Sequence, residues 1–394
     1  MEGGCVLPAR HARVLAALEL REPDRVPVFD LMSEFATNNA ILGKKPGFTL
    51  RLLASRRAAK PLDWLFAHAR SFSLLDRDAE LYLRLGARAA EKMGYDAAWL
   101  TFFPIFSFRN TRTMVDMYGR LYDVVFDQQG NLFNPIYREG LITGPDAWKA
   151  WDKKPLLGLA AKVNGAYSRL VRAYADKFFI FGFCSYGIFE STWQPLGLER
   201  FVVAARKERG FLDDMIRFHT DLYCVLVEAM ADAGLPAMVY TDDLSYKTGP
   251  MLSPRLIEEL FGDSYRRIVE TAHAQGMKIA MHCCGNATSL LPWFADCGFD
   301  AVHPLEPTAG MDLATAKEMV GDRMCLIGNL DVTRILVDAE REEVFEAVRQ
   351  AIHDAGRGGG YILAPDHNHP GVSVQRLRWM VEAVEEYGHY PLEA

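Results

Sequence analysis

KIAMHCCGN, residues 278–286, runs from an apolar segment into one histidine and two adjacent cysteines, then stops at Gly285-Asn286. A short apolar run closed by a turn pair reads as a buried strand. Side chains alternate along a strand, so His282 and Cys284 share one face and Cys283 takes the other. Neighbouring cysteines rarely bridge to each other. An H-x-C pair at a strand tip has the separation to chelate one ion, and core packing is the alternative for each thiol.

The same pattern, an apolar run with a polar tip, recurs along the chain. It is found in RVPVFD (25–30), DAAWLTF (96–102), KFFIFGF (177–183), AMVYTDD (237–243), KIAMHC (278–283), DAVHPLE (300–306), MCLIGNLD (324–331) and GYILAPD (360–366). Between the later runs lie stretches of helical periodicity: PRLIEELFGDSYRRIVETAHAQG, ATAKEMV and REEVFEAVRQAIHDAG. Eight strands alternating with helices predict a (β/α)8 TIM barrel around a buried parallel sheet. An open doubly wound sheet is the alternative, and the count of eight disfavours it. The expectation is one barrel domain over 1–394, enlarged by a helical insertion at 31–95 and a hairpin insertion at 119–138. The hairpin, GRLYDVVFDQQGNLFNPIYR, alternates around a QQGN turn and follows the second strand. It would overhang the C-terminal mouth, where barrel active sites lie.

With 394 residues, half of them apolar, the chain can build one large core. A net charge of -7 argues against nucleic acid or an anionic membrane as the main partner. Seven cysteines, an odd number without framework spacing, suit a reducing compartment. The start, MEGGCVLPARHARVL, lacks a secretory apolar core, and no stretch of ~18 apolar residues predicts a membrane span. The expectation is a soluble cytoplasmic protein acting on a small molecule, its oligomeric state (a homodimer included) left open.

The strand tips carry the unusual residues: Asp30, Cys184, Asp242, Asp243, His282, Cys284, His303, Glu306, Asn329, Asp331, Asp366, His367 and His369. Zinc takes four ligands from thiolate, imidazole and carboxylate. His282, Cys284, Glu306 and His367 would converge on the barrel axis as such a set, with Asp243, His303 and His369 in reserve. Taken singly, each has a plainer reading as core histidine, buried thiol or solvated acid. Asp242 and Asp243 are placed to orient or protonate a substrate, or equally to cap the next helix. Asp30, Phe103, Tyr186, Trp193, Tyr240 and Asn329 are the candidate substrate contacts. The aromatics among them suit an aromatic ring, although aromatics also fill barrel interiors.

The spacing H-x-C, 21 residues, Glu306, 60 residues, His367 resembles the zinc signature of cobalamin-independent methionine synthase, which ends in cysteine where this chain has His367. The H-x-C-G opening is similar to that of the methylcobamide:coenzyme M methyltransferases of the uroporphyrinogen decarboxylase superfamily. REPDRVPV, ESTWQPLGLERF, HCCGN, IGNLD, GGGYILAPDHNHP and YGHYP carry the superfamily resemblance through nearly the whole chain. It implies a barrel, a zinc ion and methyl transfer involving a corrinoid. Uroporphyrinogen decarboxylases carry an arginine-rich motif after the first strand for substrate carboxylates. Here VFDLMSEFATN (28–38) has no arginine, which disfavours a porphyrinogen.

One sulfur and two imidazoles make zinc more Lewis acidic than two sulfurs do, which suits an ether oxygen. The D-x-H-x-x-G cobalamin motif is absent from the sequence, so a corrinoid would arrive on a separate protein. The leading expectation is therefore a zinc-dependent methyltransferase. It would move methyl from a small O-methylated, methoxy-aromatic substrate to the cobalt of a corrinoid protein. A methylcobamide:thiol methyltransferase and a metal-free decarboxylase are the alternatives, and a non-catalytic binding protein is the remote one.

Overall fold

The computed structural model describes residues 8–68, 76–102, 106–132, 135–183, 185–369 and 371–392. Eight parallel strands form one sheet: β1 (Phe29–Leu31), β2 (Ala97–Thr101), β3 (Phe179–Phe183), β4 (Ala237–Thr241), β5 (Lys278–His282), β6 (Ala301–His303), β7 (Cys325–Leu330) and β8 (Tyr361–Pro365). The sheet closes where Leu363 N donates to Pro27 O at 2.9 Å and Val28 bridges Leu363 in parallel. The protein is a (β/α)8 TIM barrel, and all eight expected strands are present. β1 and β6 are the shortest, at three residues each, beside Pro27 and Pro304, which have no N–H for a ladder.

Strand alternation sorts the core into two layers. Phe29, Trp99, Phe181, Val239, Ala280, Ala301, Ile327 and Ile362 fill the barrel interior. Their neighbours Met238, Tyr240, Ile279, Met281, Val302 and Leu326 face the helices. Counting by two from Ala280 and Ala301 places His282 and His303 inside, at the C-terminal end.

The segment 31–95 holds the helices Phe35–Leu42, Phe48–Ala54, Arg56–His68 and Asp76–Met93. In the segment 119–138, Arg120–Asp123 pairs antiparallel with Ile136–Gly140. Phe106–Asn110 and Thr113–Asp116 extend this pair to a four-stranded sheet. The sequence reading gave no strands to 106–116. This sheet is latched onto the helix Ile188–Leu196: Ile142 N donates to Pro195 O at 2.8 Å and Tyr137 Oη to Gln194 O at 2.8 Å. A Cβ on Gly140 would stand 2.1 Å from Pro195 O. Gly140→Ala is therefore expected to lose ~1–3 kcal/mol, read as a lower denaturant midpoint.

His219 is buried beside Trp148 and Tyr118, and burial, aided by Arg120 and Lys153, depresses its pKa to about 3. In the unfolded chain a histidine titrates near ~6.5. Its contribution is therefore whole above that pH and is lost as pH falls toward the folded value, at ~1.4 kcal/mol per pH unit. Denaturant unfolding between neutral and mildly acid pH should show this slope, and His219→Gln should flatten it.

Candidate metal centre

The tips of β4, β5 and β6 are tied together by backbone amides donating to carboxylates. Cys284 N donates to Asp243 Oδ1 at 2.9 Å, and Gly285 N donates to Glu306 Oε2 at 2.9 Å. Gly285 makes the turn at φ 79°, where a Cβ would stand 2.7 Å from the Tyr246 carbonyl. That position takes glycine for both reasons. Cys283 faces outward, its sulfur accepting from Leu244 N at 3.3 Å.

Cys284 Sγ lies 3.2 Å from His282 Nε2 and 3.2 Å from His367 Nε2. Glu306 Oε2 lies 3.9 Å from His367 Nε2, while Thr308 Oγ1 donates to Oε1 at 2.5 Å. A tetrahedral zinc site has arms of ~2.0–2.3 Å and hence edges of roughly 3.3–3.7 Å, so these separations are of the right size. Asp243, His282 and Cys284 also bring one donor atom each within 4.8 Å of one another. His282 is buried, whereas Asp243, Cys284 and His367 are half-buried and open toward the mouth.

The electrostatics fit a cation. Burial, then His303 and His367, push the His282 pKa well down, leaving a neutral imidazole. Burial, then Asp243, push the Cys284 thiol well up. Burial also raises Asp243, against hydrogen bonds from Cys284 and the charge of His367. For His367, burial is outweighed by Asp366, Glu306 and Asp243, so its pKa rises. A bound cation would favour the thiolate and carboxylate forms of these groups. One sulfur, two imidazoles and carboxylate oxygen form a borderline-soft donor set that suits zinc.

Other expected site residues lie elsewhere. Asp242 is wholly buried and accepts from Phe189 N (2.9 Å), Glu190 N (2.8 Å), Tyr240 Oη (3.3 Å) and Tyr265 Oη (2.5 Å). It anchors the helix 188–196. Tyr240, on the helix side of β4, packs against Tyr223, Tyr265 and Phe299 instead of facing a substrate. Asp30 alternates with Phe29 and Leu31, which line the interior, so it too faces away. Burial raises its pKa to about 7 against the Tyr95 hydroxyl.

Trp193 packs between Tyr137 and Phe189. Tyr186 stays at the mouth, bridged to Thr241 at the tip of β4 and stacked near Arg120. Asn329, near the end of β7, donates to Leu305 O in the segment after β6 at 3.0 Å. Phe103 and Cys184 lie outside the described residues. His369 accepts from Gly371 N at 3.0 Å in its own loop, and His303 stands behind His282.

Sequence reasoning missed Glu190. It accepts from Gln194 Nε2 at 2.6 Å and from Asp243 N at 3.3 Å, while Gln194 Oε1 accepts from Arg120 at 2.9 Å. The i, i+4 pair Glu190 and Gln194 on one helix face was the available signal. A cavity of about 410 Å³ opens beside Lys278, Asp300 and Arg323. It lies at the foot of β5, opposite His282, and holds none of the cluster.

A family model described as Uroporphyrinogen decarboxylase (URO-D) matches residues 65–387. The methylcobamide:CoM methyltransferase MtaA of Methanosarcina barkeri is 23% identical over 198 residues, 49% of this chain and 54% of that protein. A uroporphyrinogen decarboxylase of Thioalkalivibrio sulfidiphilus is 29% identical over 168 residues, 42% of this chain and 45% of that protein. The chain thus spans about half the length of the curated relatives it matches. A solved methyltransferase from Methanosarcina mazei shares the fold at a TM-score of 0.67 and 16% identity, covering 97% of this chain and 99% of that one. By the extent of the family match, this chain belongs to the uroporphyrinogen decarboxylase family.

Proposed function

We propose that the protein is a zinc-dependent methyltransferase that takes methyl from a small O-methylated compound, a methoxy-aromatic, and passes it to the cobalt of a separate corrinoid protein. The observation that carries this reading is the position of Cys284 Sγ, 3.2 Å from both His282 Nε2 and His367 Nε2 at the barrel mouth. The likeness to a methylcobamide:CoM methyltransferase supports it, as does the absence of arginine from 28–38.

In this reading His282, Cys284, His367 and Glu306 hold the ion. When bound, zinc supplies a Lewis acid that weakens the methyl–oxygen bond. Gly285 N–H and Thr308 hold the Glu306 carboxylate, and Asp243 fixes the Cys284 backbone. Asp243, which lies beside the cluster, is placed to hand a proton to the departing oxygen. Tyr186 offers a ring face beside that acid.

The test incubates zinc-loaded protein with cob(I)alamin and a panel of methoxylated aromatics, following loss of cob(I)alamin absorbance and appearance of the phenol. Demethylation is the expected result. Reaction of methylcobalamin with a thiol alone would replace the ether donor with the reverse direction. Decarboxylation of a carboxylated substrate with neither methyl transfer would remove the methyltransferase reading. Asp243→Asn is expected to lower kcat by ~100-fold or more, the scale of a general acid, while leaving zinc content unchanged.

A further inference from the structure

His282 and His303 meet inside the barrel with Nδ1 of one 2.7 Å from Nδ1 of the other. Their ring planes lie 25° apart with centroids at 4.9 Å, and Trp99 stands edge-on to both. On its far side, His303 Nε2 lies 3.3 Å from the carbonyl oxygen of Pro365 at the end of β8. A carbonyl only accepts, so His303 Nε2 must carry a proton. His303 is 1% exposed and touches imidazole, aromatic rings and backbone, with no carboxylate in hydrogen-bond contact. A cation there would be buried without a counter-ion.

Its single proton is therefore on Nε2, and Nδ1 is a lone pair. The short Nδ1–Nδ1 contact then requires His282 to be the donor. With its own proton on Nδ1, His282 turns a bare Nε2 toward Cys284 Sγ, 3.2 Å away. A chain of two hydrogen bonds thus runs from the Pro365 backbone to the nitrogen that faces the cluster.

We propose that His303 is a positioning residue for the metal centre: it locks His282 in the tautomer whose Nε2 lone pair points at the ion. This rests on reading the cluster as a metal site, and it removes His303 from the ligand set. A chain of this kind fixes ring orientation and raises ligand basicity, and its loss typically costs ~10–100-fold in metal affinity. It also gives a reason for two imidazoles to stand side by side inside the barrel. β6 ends at His303 in register with His282, so the two rings are set side by side by the barrel itself.

Two variants separate this role from simple packing. In His303→Gln the amide oxygen can accept from His282 Nδ1 while the amide NH2 donates to Pro365 O. His303→Leu fills similar volume with neither group. Nitrogen-15 imidazole spectra of the zinc-free proteins read the tautomer directly, and chelator competition reads zinc affinity. Thermal unfolding of each zinc-free form controls for folding.

Wild type and His303→Gln should show His282 protonated at Nδ1 and bind zinc within about threefold of each other. His303→Leu should lose the single tautomer and bind zinc ~10–100-fold more weakly. A wild-type His282 protonated at Nε2 would overturn the proposal, as would His303→Leu binding zinc as tightly as wild type. If wild type shows the Nδ1 proton yet takes up no zinc, the metal reading fails and the tautomer assignment stands.

Discussion

Cys284→Ala is expected to strip zinc from the protein and abolish methyl transfer while leaving the fold in place. Cys284 Sγ is the atom to which both His282 Nε2 and His367 Nε2 are nearest neighbours in the cluster, so its loss opens the middle of the donor set. The zinc affinity should fall by more than the ~10–100-fold that an outer partner is worth. The activity loss should appear in kcat, because a Lewis acid acts in the transition state. Stability should barely move. Cys284 is half-buried beyond the end of β5, whose Ala280 and Met281 are buried on its two faces. Elemental analysis with chelator competition, alongside denaturant unfolding, separates the two effects. Full zinc occupancy in the variant would remove Cys284 from the site.

The opposite signature is expected one strand away. Asp242→Ala should cost about 3–5 kcal/mol of stability, since it leaves two helix amides and two tyrosine hydroxyls without their common acceptor inside the barrel wall. Asn at this position would help little, because its NH2 would face groups that are themselves donors. Asp243→Asn, by contrast, should leave the unfolding midpoint within about 1 kcal/mol and remove activity. The adjacent aspartates point to opposite faces of the chain, so the pair forms an internal control. Equal stability loss at both positions would contradict the division of roles.

This division shows where the sequence was legible. Alternation along KIAMHCC puts His282 and Cys284 together and Cys283 apart, because parity along a strand is a local property. The eight strands were legible for the same reason. The same parity could have assigned Asp242 and Tyr240 to the helix side, but a doublet of acids at a strand end does not say which one the strand ends before. The interplay of Glu190, Gln194 and Arg120 depends on the four-stranded sheet docking on the helix 188–196. That docking joins residues 57 and 74 apart in the chain, and local pattern carries no signal for it. His303 was visible as a strand-tip histidine. Its place behind His282 follows from the register of β5 and β6, which pairing, not composition, sets.

The zinc-edge X-ray absorption spectrum of the purified protein tests the donor set most directly. The account predicts one zinc per chain with a single sulfur scatterer at ~2.3 Å and nitrogen or oxygen at ~2.0–2.2 Å, the sulfur disappearing in Cys284→Ala. A zinc ion with only nitrogen and oxygen neighbours in the wild type would contradict it, as would active protein without zinc.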